Sequence, residues 1–299
     1  MFTQRRIGAG ALGLLGLLGA ACGSTSTGAG QSGTTSTARL GGSVKVAYAG
    51  SLVGLMVNKI APAFKAADGI TLDGLPGGST GLVSQIKSGT SAFDVFISAA
   101  PSANAGLMGV ANGNWESWYA ALGTAPLVIG YNPSSRFAQA LRTQSWYKVM
   151  QQPGFKLGRT DPAIDPKGVL VEKLLTQVAA STNDPSLVNA VLGPTENPAQ
   201  VFPEESLVAR LQTGQLDAGF FYSNEAKQAG IPTVSTGYPL GASFTVTILS
   251  KAPDPAQAEA FVTYLYSPAG RQLLKAGGIL PEAPKVTGNA ASVPKGVKL

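Results

Sequence analysis

Apolar positions alternate from Val44 to Tyr48 as in a short strand, and the run ends at Ala49-Gly50-Ser51. Leu52 to Ala67 then places Leu55, Ile60 and Phe64 at helical spacing, which predicts an amphipathic helix. The order recurs twice. Ile70 to Leu75 is extended, Pro76 to Gly81 is a glycine-rich loop and Leu82 to Lys87 is helical. Phe93-Asp94-Val95-Phe96-Ile97 is an apolar strand that stops at Ser98-Ala99-Ala100, with a helix after it through Leu107-Met108. Strands alternating with helices predict a parallel sheet covered by helices on both faces.

In such sheets ligands lie beyond the carboxyl ends of the strands. Ser51, Ser79 and Ser98 all fall at those ends. Each alone reads as a serine capping a helix. Their recurrence at equivalent places in successive units points to a shared site.

A second set follows. Ala125 to Tyr131 is an apolar strand, and Phe155-Lys156-Leu157 leads into Gly158-Arg159-Thr160-Asp161-Pro162. Asp165-Pro166-Lys167-Gly168 opens a helix through Val171, Leu174 and Leu175. Leu207 to Leu211 is helical, Ala218 to Tyr222 is a buried strand and Ala242 to Leu249 a long alternating one. A helix from Pro255 to Tyr266 precedes Ser267-Pro268-Ala269-Gly270 and a last helix to Ala276, so the chain is expected to end in helices and a polar tail.

The first residues have a different pattern. Arg5 and Arg6 precede an apolar run from Ile7 to Leu18, then the small residues Gly19, Ala20 and Ala21. A membrane span needs roughly 20 apolar residues, so this order predicts a secretory signal over residues 1–21. Cys22 is the one cysteine and lies directly after it, in a segment that cannot fold around a thiol. Leu18-Gly19-Ala20-Ala21-Cys22 resembles the lipobox of bacterial lipoproteins, which implies a lipid on Cys22. Residues 23–42 are almost all Gly, Ser, Thr, Ala and Gln, too polar and small to bury a core, and read as a flexible tether. The chain is then held outside the cytoplasmic membrane by its lipid, or lies in a periplasm, after export by the general or the twin-arginine route.

Composition narrows the chemistry. The 299 residues are 44% hydrophobic and 13% charged, a globular balance. The net charge is +6, or +4 without Arg5 and Arg6 (6 minus 2), and beyond that pair Lys and Arg are scattered singly, without the basic runs that mark nucleic-acid binding. There is no histidine, so Ser-His-Asp and Cys-His centres and the commonest zinc ligand are absent. Gly77-Gly78-Ser79-Thr80-Gly81 fits the nucleophile elbow G-x-S-x-G but has no histidine base. It suits better a turn whose N–H groups and hydroxyls, those of Ser79 and Thr80, face an anion at a helix start. Ser84-Gln85-Ile86-Lys87 and Ser145-Trp146-Tyr147-Lys148 both fit S-x-x-K, yet the S-D-N and K-T-G elements that accompany it in penicillin-binding enzymes are missing.

Four segments carry a family resemblance: Ala47-Tyr48-Ala49-Gly50-Ser51-Leu52, Phe93-Asp94-Val95-Phe96-Ile97-Ser98-Ala99, Asp165-Pro166-Lys167-Gly168 and Ser267-Pro268-Ala269-Gly270. From about Val44 to Leu280 the chain resembles the periplasmic molybdate- and tungstate-binding proteins of ABC importers, in the type II periplasmic-binding-protein superfamily. The resemblance implies an α/β fold of two lobes, each a mostly parallel sheet flanked by helices, with the ligand cleft between them. Lobe I would be discontinuous, residues 43–124 and 235–285, lobe II residues 125–234, and residues 286–299 a polar tail. It also implies a binding protein that hands molybdate or tungstate to permease subunits, with no catalytic residue, no cofactor and a monomeric state.

Relatives that hold the oxyanion tetrahedrally use serines of two first-lobe loops, backbone N–H groups and a second-lobe tyrosine, matched here by Ser51, Ser79 and Tyr222. Neutral hydroxyls suit a fully deprotonated dianion, which only accepts hydrogen bonds. Relatives that surround tungstate with additional carboxylate oxygens use an Asp matched by Asp165 and a strand Glu whose place is taken by Phe221, which offers no oxygen. Glu204 and Glu205 lie near another loop that contributes a backbone contact; they read either as first-turn carboxylates favoured by the helix dipole or as cleft groups beside Asp165. Three rival readings stay open: a binder of sulfate or another small anion, an enzyme using Asp161 or Asp165, and a structural surface lipoprotein.

Overall fold

The protein is described by a computed structural model over residues 40–299. The leader, Cys22 and the tether up to residue 39 lie outside the described residues. In chain order the strands are β1 (Ser43–Ala49), β2 (Thr71–Gly77), β3 (Val95–Ser98), β4 (Trp118–Tyr131), β5 (Leu157–Gly158), β6 (Ala218–Tyr222), β7 (Thr233–Ser235), β8 (Gly241–Ile248), β9 (Leu280–Pro281) and β10 (Val286–Gly288). The α-helices that matter below are α1 (Ala61–Asp68), α2 (Ser79–Ser88), α3 (Pro101–Ala105), α4 (Ala138–Thr143), α5 (Trp146–Met150), α6 (Pro166–Thr182), α7 (Leu187–Leu192), α8 (Glu204–Gln212), α9 (Ser223–Ala229), α10 (Pro255–Tyr266) and α11 (Pro268–Ala276).

The main strand order is β2-β1-β3-β8-β4-β6-β5. β1 pairs in parallel with β2 and β3, and β5 with β6, each pair joined through helical crossovers as parallel strands require. The expectation of mostly parallel sheets holds for those pairs. β8 runs antiparallel to both β3 and β4, and β4 antiparallel to β6 and β7, so the whole is mixed. β4 ties the two regions together: Ala120 to Pro126 pairs with β8, and Leu127 to Tyr131 with β6. A register shift between Ala121 and Gly123 bends it midway. At Gly123 a Cβ would sit 2.6 Å from the Leu280 carbonyl oxygen, so the close approach of β9 requires glycine.

Helices bury the faces their spacing predicts. In α6, Val171, Leu174, Leu175 and Val178 follow the i, i+3, i+4, i+7 pattern and are buried against the sheet. Full burial of such a side chain is worth roughly 1.5–3 kcal/mol. Phe64 of α1 packs on Phe261 and Tyr264 of α10, ring centres 5.1 and 5.3 Å apart, closing the core over β1.

Several segments depart from the sequence expectation. The helix expected over Leu52 to Ala67 is one helical stretch, residues 50–68, that contains a π-turn at Met56–Ile60, where Ala61 N–H donates to Met56 O. Pro62 follows at once and has no N–H to continue the ladder, which gives the wider turn its cause. β2 runs on to Gly77, so the loop before α2 shrinks to Gly78. The helix expected through Leu107-Met108 ends earlier, as α3. α11 is not the last element: β9 and β10 return to pair with β4, residues 286–288 lie along Trp118 to Ala120, and a short 3₁₀ turn at Ala290–Ser292 follows.

One buried carboxyl lies two residues before β4. Glu116 is 1% exposed; its Oε2 accepts from Asn104 Nδ2 at 3.2 Å, and its Oε1 has no partner. Burial pushes its carboxyl up to about 8, only partly offset by that bond. The unfolded chain ionises at the ordinary value, so stability falls as pH rises from that value to the folded one. We expect Glu116→Gln, which keeps the acceptor for Asn104, to be more stable than the native chain at pH 7 by about 3 kcal/mol, with the difference gone near pH 4. Denaturant melts at the two pH values measure it.

Candidate binding site at converging helix starts

Five helical segments begin at one place. They start at Gly50, Ser79, Pro166, Glu204 and Ser223. A Cβ on Gly50 would come 2.7 Å from Glu204 Oε2, and one on Gly78 would strike the Ile164 carbonyl and lie 3.1 Å from Asp165 Cβ. Glycine at both positions lets the β1 and β2 ends approach the starts of α6 and α8. Two hydrogen bonds close the contact: Asn224 Nδ2 donates to Ser51 O at 2.7 Å, and Gly81 N–H to Ile164 O at 3.0 Å. Helix starts carry partial positive charge and unpaired N–H groups, so their convergence favours negative groups.

Lys167 sits at the centre, fully buried. Its ammonium donates to Glu204 Oε1 at 2.9 Å and to Glu225 Oε1 and Oε2 at 3.0 and 2.9 Å. These are the only ion pairs among the described residues. Burial alone would lower its pKa, but Glu204, Glu225 and Asp165 outweigh it and hold the ammonium charged. Glu225 also accepts from Tyr222 N–H at 2.7 Å, tying the end of β6 to the ion pair. Burial first, then the Glu204 charge, raises Glu225 to about 7, against the pull of Lys167.

Asp165 caps α6, with Oδ1 accepting from Lys167 N–H at 2.7 Å. Its Oδ2 has no donor. Burial first, then the neighbouring Glu204 carboxylate and a hydrogen bond with it, hold this carboxyl well above the usual range, against the pull of Lys167. Among the described residues no acidic cluster is arranged to hold a metal ion, and an ammonium occupies the middle of this one.

The remaining buried polar atoms at this junction are short of partners. Ser51 Oγ, Thr160 Oγ1, Tyr222 Oη and Asn224 Oδ1 make no hydrogen bond. Buried polar groups in proteins are satisfied almost without exception; of the nine unpaired buried atoms among the described residues, five lie here and four on Glu116, Arg159, Gln177 and Arg210. A set of unpaired hydroxyls at one junction is therefore what a site for a polar ligand looks like. Burial, then the charges of Asp165, Glu204 and Glu225, push the Tyr222 phenol well above its usual range, so it is a hydrogen-bond donor. Two hollows open on either side of Glu204: one of about 340 Å³ beside Ser51 and Glu225, one of about 370 Å³ beside Thr160 and Asp165.

The residues singled out from sequence divide as follows. Ser51, Asp165, Glu204 and Tyr222 meet at the junction. Ser79 opens α2 beside it, with its Oγ accepting from Ala99 N–H at 3.0 Å and its own proton free to donate. Thr80 points outward and is exposed. The Ser98 hydroxyl is engaged within its own turn, donating to Ala100 O and accepting from Ala100 N–H, which is the capping role. Glu204 unites both of its readings, since it stands at a helix start and enters the cluster beside Asp165. Phe221 packs under α8 with Leu207 and Leu211, whereas Tyr222 faces the other way, as the two-residue period of a strand demands.

Sequence reasoning passed over Lys167, Glu225, Asn224 and Thr160. Lys167 stood in the D-P-x-G segment as its variable position, and Glu225, three residues after Tyr222, makes only the carboxylate half of a capping box, so the S/T-x-x-E signal is absent from the sequence.

The sequence profile of bacterial extracellular solute-binding proteins matches residues 44–280. A protein of Haloferax volcanii, described provisionally as an ABC transporter molybdenum-binding protein, is 28% identical over 176 residues, 58% of this chain; the chain spans about half of that relative's length, 53%. A solute-binding protein of Halobacterium salinarum is 30% identical over 258 residues, covering 84% of this chain and 79% of its own. In fold, the periplasmic molybdate-binding protein of Azotobacter vinelandii superposes with a TM-score of 0.62 at 19% identity, over 80% of this chain and all of that one. The sulfate-binding protein SubI of Mycobacterium tuberculosis H37Rv gives 0.61 at 16% identity, over 81% and 87%. Both neighbours are two-lobed binding proteins, and the described chain has their fold. With its profile match running from β1 to β9, the chain belongs to the bacterial extracellular solute-binding proteins.

Proposed function

We propose that the chain is the binding component of an ABC importer and that it takes molybdate or tungstate at the junction of the five helix starts. The observation that carries this is the group of buried, unpaired hydroxyls of Ser51, Thr160 and Tyr222, with Ser79 adjacent; Ser51, Ser79 and Tyr222 stand at helix starts, and Thr160 lies in the loop after β5. The Haloferax relative's description supports molybdenum as the cargo. Fold likeness does not separate molybdate from sulfate, since the two neighbours superpose almost equally well.

The remaining parts of the proposal concern architecture and place. Residues 43–124 with 235–285 would form one lobe and residues 125–234 the other, β4 and β8 crossing between them, with Asn224 to Ser51 and Gly81 to Ile164 as closing contacts. Export, a lipid on Cys22 and delivery to a permease at the membrane complete the reading. No described helix is long and apolar enough to cross a membrane.

The test is a thermal melt of the protein with molybdate, tungstate, sulfate and phosphate. A bound ligand at about 100 times its dissociation constant adds about 2.7 kcal/mol of stability. Molybdate and tungstate are expected to raise the melting temperature; a shift with neither, while another solute produces one, would reject the assignment.

A further inference from the structure

A buried cation in an anion site would be expected to face the anion, but the bonds of Lys167 are already committed. An ammonium has three N–H bonds, and the contacts of Lys167 with Glu204 Oε1 at 2.9 Å and with Glu225 Oε1 and Oε2 at 3.0 and 2.9 Å account for all of them. Its charge is matched by these two carboxylates, and its side chain is fully enclosed.

What the ammonium does reach is Tyr222. Its nitrogen lies 5.3 Å from the centre of the Tyr222 ring, within cation–π range. Glu225, gripped by the same ammonium, accepts from Tyr222 N–H at 2.7 Å. Phe244 meets the ring edge-on at 6.1 Å. Tyr222 is thereby held at its backbone and along its ring, while its hydroxyl, fully buried, bonds to nothing in the protein. Such a hydroxyl has no contact of its own to aim it, so its place is set by whatever holds the rest of the residue. The same segment reaches a second unpaired hydroxyl, since Asn224 Nδ2 donates to Ser51 O at 2.7 Å.

We propose, on the basis of the anion reading above, that Lys167 and Glu225 are positioning residues: neither contacts the ligand, and both set its affinity by holding Tyr222 in the orientation from which its hydroxyl donates. The cation acts at one remove. A role by charge and a role by position give opposite forecasts for Glu225. If charge decides, removing a carboxylate's charge near a bound dianion should tighten binding, because like charges repel. If position decides, the same change should loosen binding, because a glutamine sets an amide donor against either the ammonium or the Tyr222 N–H, both of which the carboxylate now accepts from.

The experiment is a double-mutant cycle on the full chain, read by calorimetric titration with molybdate near neutral pH, with a denaturant melt of each variant. Glu225→Gln should weaken molybdate binding about tenfold in the native background and less than about twofold in Tyr222→Phe, where the hydroxyl it positions is gone. Lys167→Met combined with Glu204→Gln and Glu225→Gln also leaves the junction less negative and leaves no lone charge in it. This triple variant should give the same pair of results, and it carries the test if Glu225→Gln alone fails to fold. A loss of stability with affinity unchanged, an affinity raised by Glu225→Gln, or an equal fall in both backgrounds would overturn the positioning role and leave the anion reading standing. Tyr222→Phe binding molybdate as tightly as the native chain would overturn the positioning role and take Tyr222 out of the anion site. A native chain that binds neither molybdate nor tungstate would overturn both.

Discussion

Replacing Lys167 by methionine is expected to destabilise the protein by about 3–5 kcal/mol, the range for breaking a buried ion pair from one side. Methionine fills nearly the same volume, so packing is not the cause. The cause is that Glu204, Glu225 and Asp165 remain buried around a site with no cation. The sign with pH follows from linkage. Without the ammonium, Glu225 is raised further above its unfolded value, so the variant keeps its stability at low pH and loses it as pH rises through that folded value. Denaturant melts at about pH 5 and pH 8 should show the deficit mainly at the higher value. Adding Glu204→Gln and Glu225→Gln should recover most of the loss, because the uncompensated charges are then gone.

Tyr222→Phe is expected to separate binding from folding. The Tyr222 hydroxyl is fully buried and bonds to nothing in the protein, so its removal forfeits no native hydrogen bond, and stability should be unchanged or slightly higher. Oxyanion affinity should fall about 10- to 100-fold, since a hydrogen bond to a charged group contributes about 1.5–3 kcal/mol. Calorimetry with molybdate, alongside a denaturant melt, checks both halves. A loss of stability without loss of affinity would make Tyr222 a packing residue.

The difference in legibility between fold and site has a physical basis. Strands β1, β6 and β8 and helix α10 stand out because their periodicity is a local property, and α10 has the bounds its pattern implies. β4 was harder to see whole. Gly123 and Pro126 interrupt its pattern, and it is long because it serves two sets of partners, a fact no local window contains. The site follows the same logic. Asp165 and Tyr222 sit at strand or helix ends and were within reach of the sequence.

Lys167 and Glu225 were not. A charged residue in the first turn of a helix is ordinarily solvated, and nothing local tells that two helix starts 58 residues apart share one ion pair. Phe221 offers no oxygen from its strand, and the carboxylate beside Asp165 arrives from α8 instead. Histidine-free composition and the helix-start serines were sufficient to favour binding over catalysis. They could not reveal that the cation at the junction is already fully engaged.

The most direct test of the whole account is diffraction from crystals grown with molybdate, with data collected at the molybdenum absorption edge. The account predicts one anomalous peak at the junction, with oxygens of the same group in hydrogen-bond reach of Ser51 Oγ, Ser79 Oγ and Tyr222 Oη. A protein saturated with molybdate that shows no peak there, or a peak elsewhere on the chain, would contradict it.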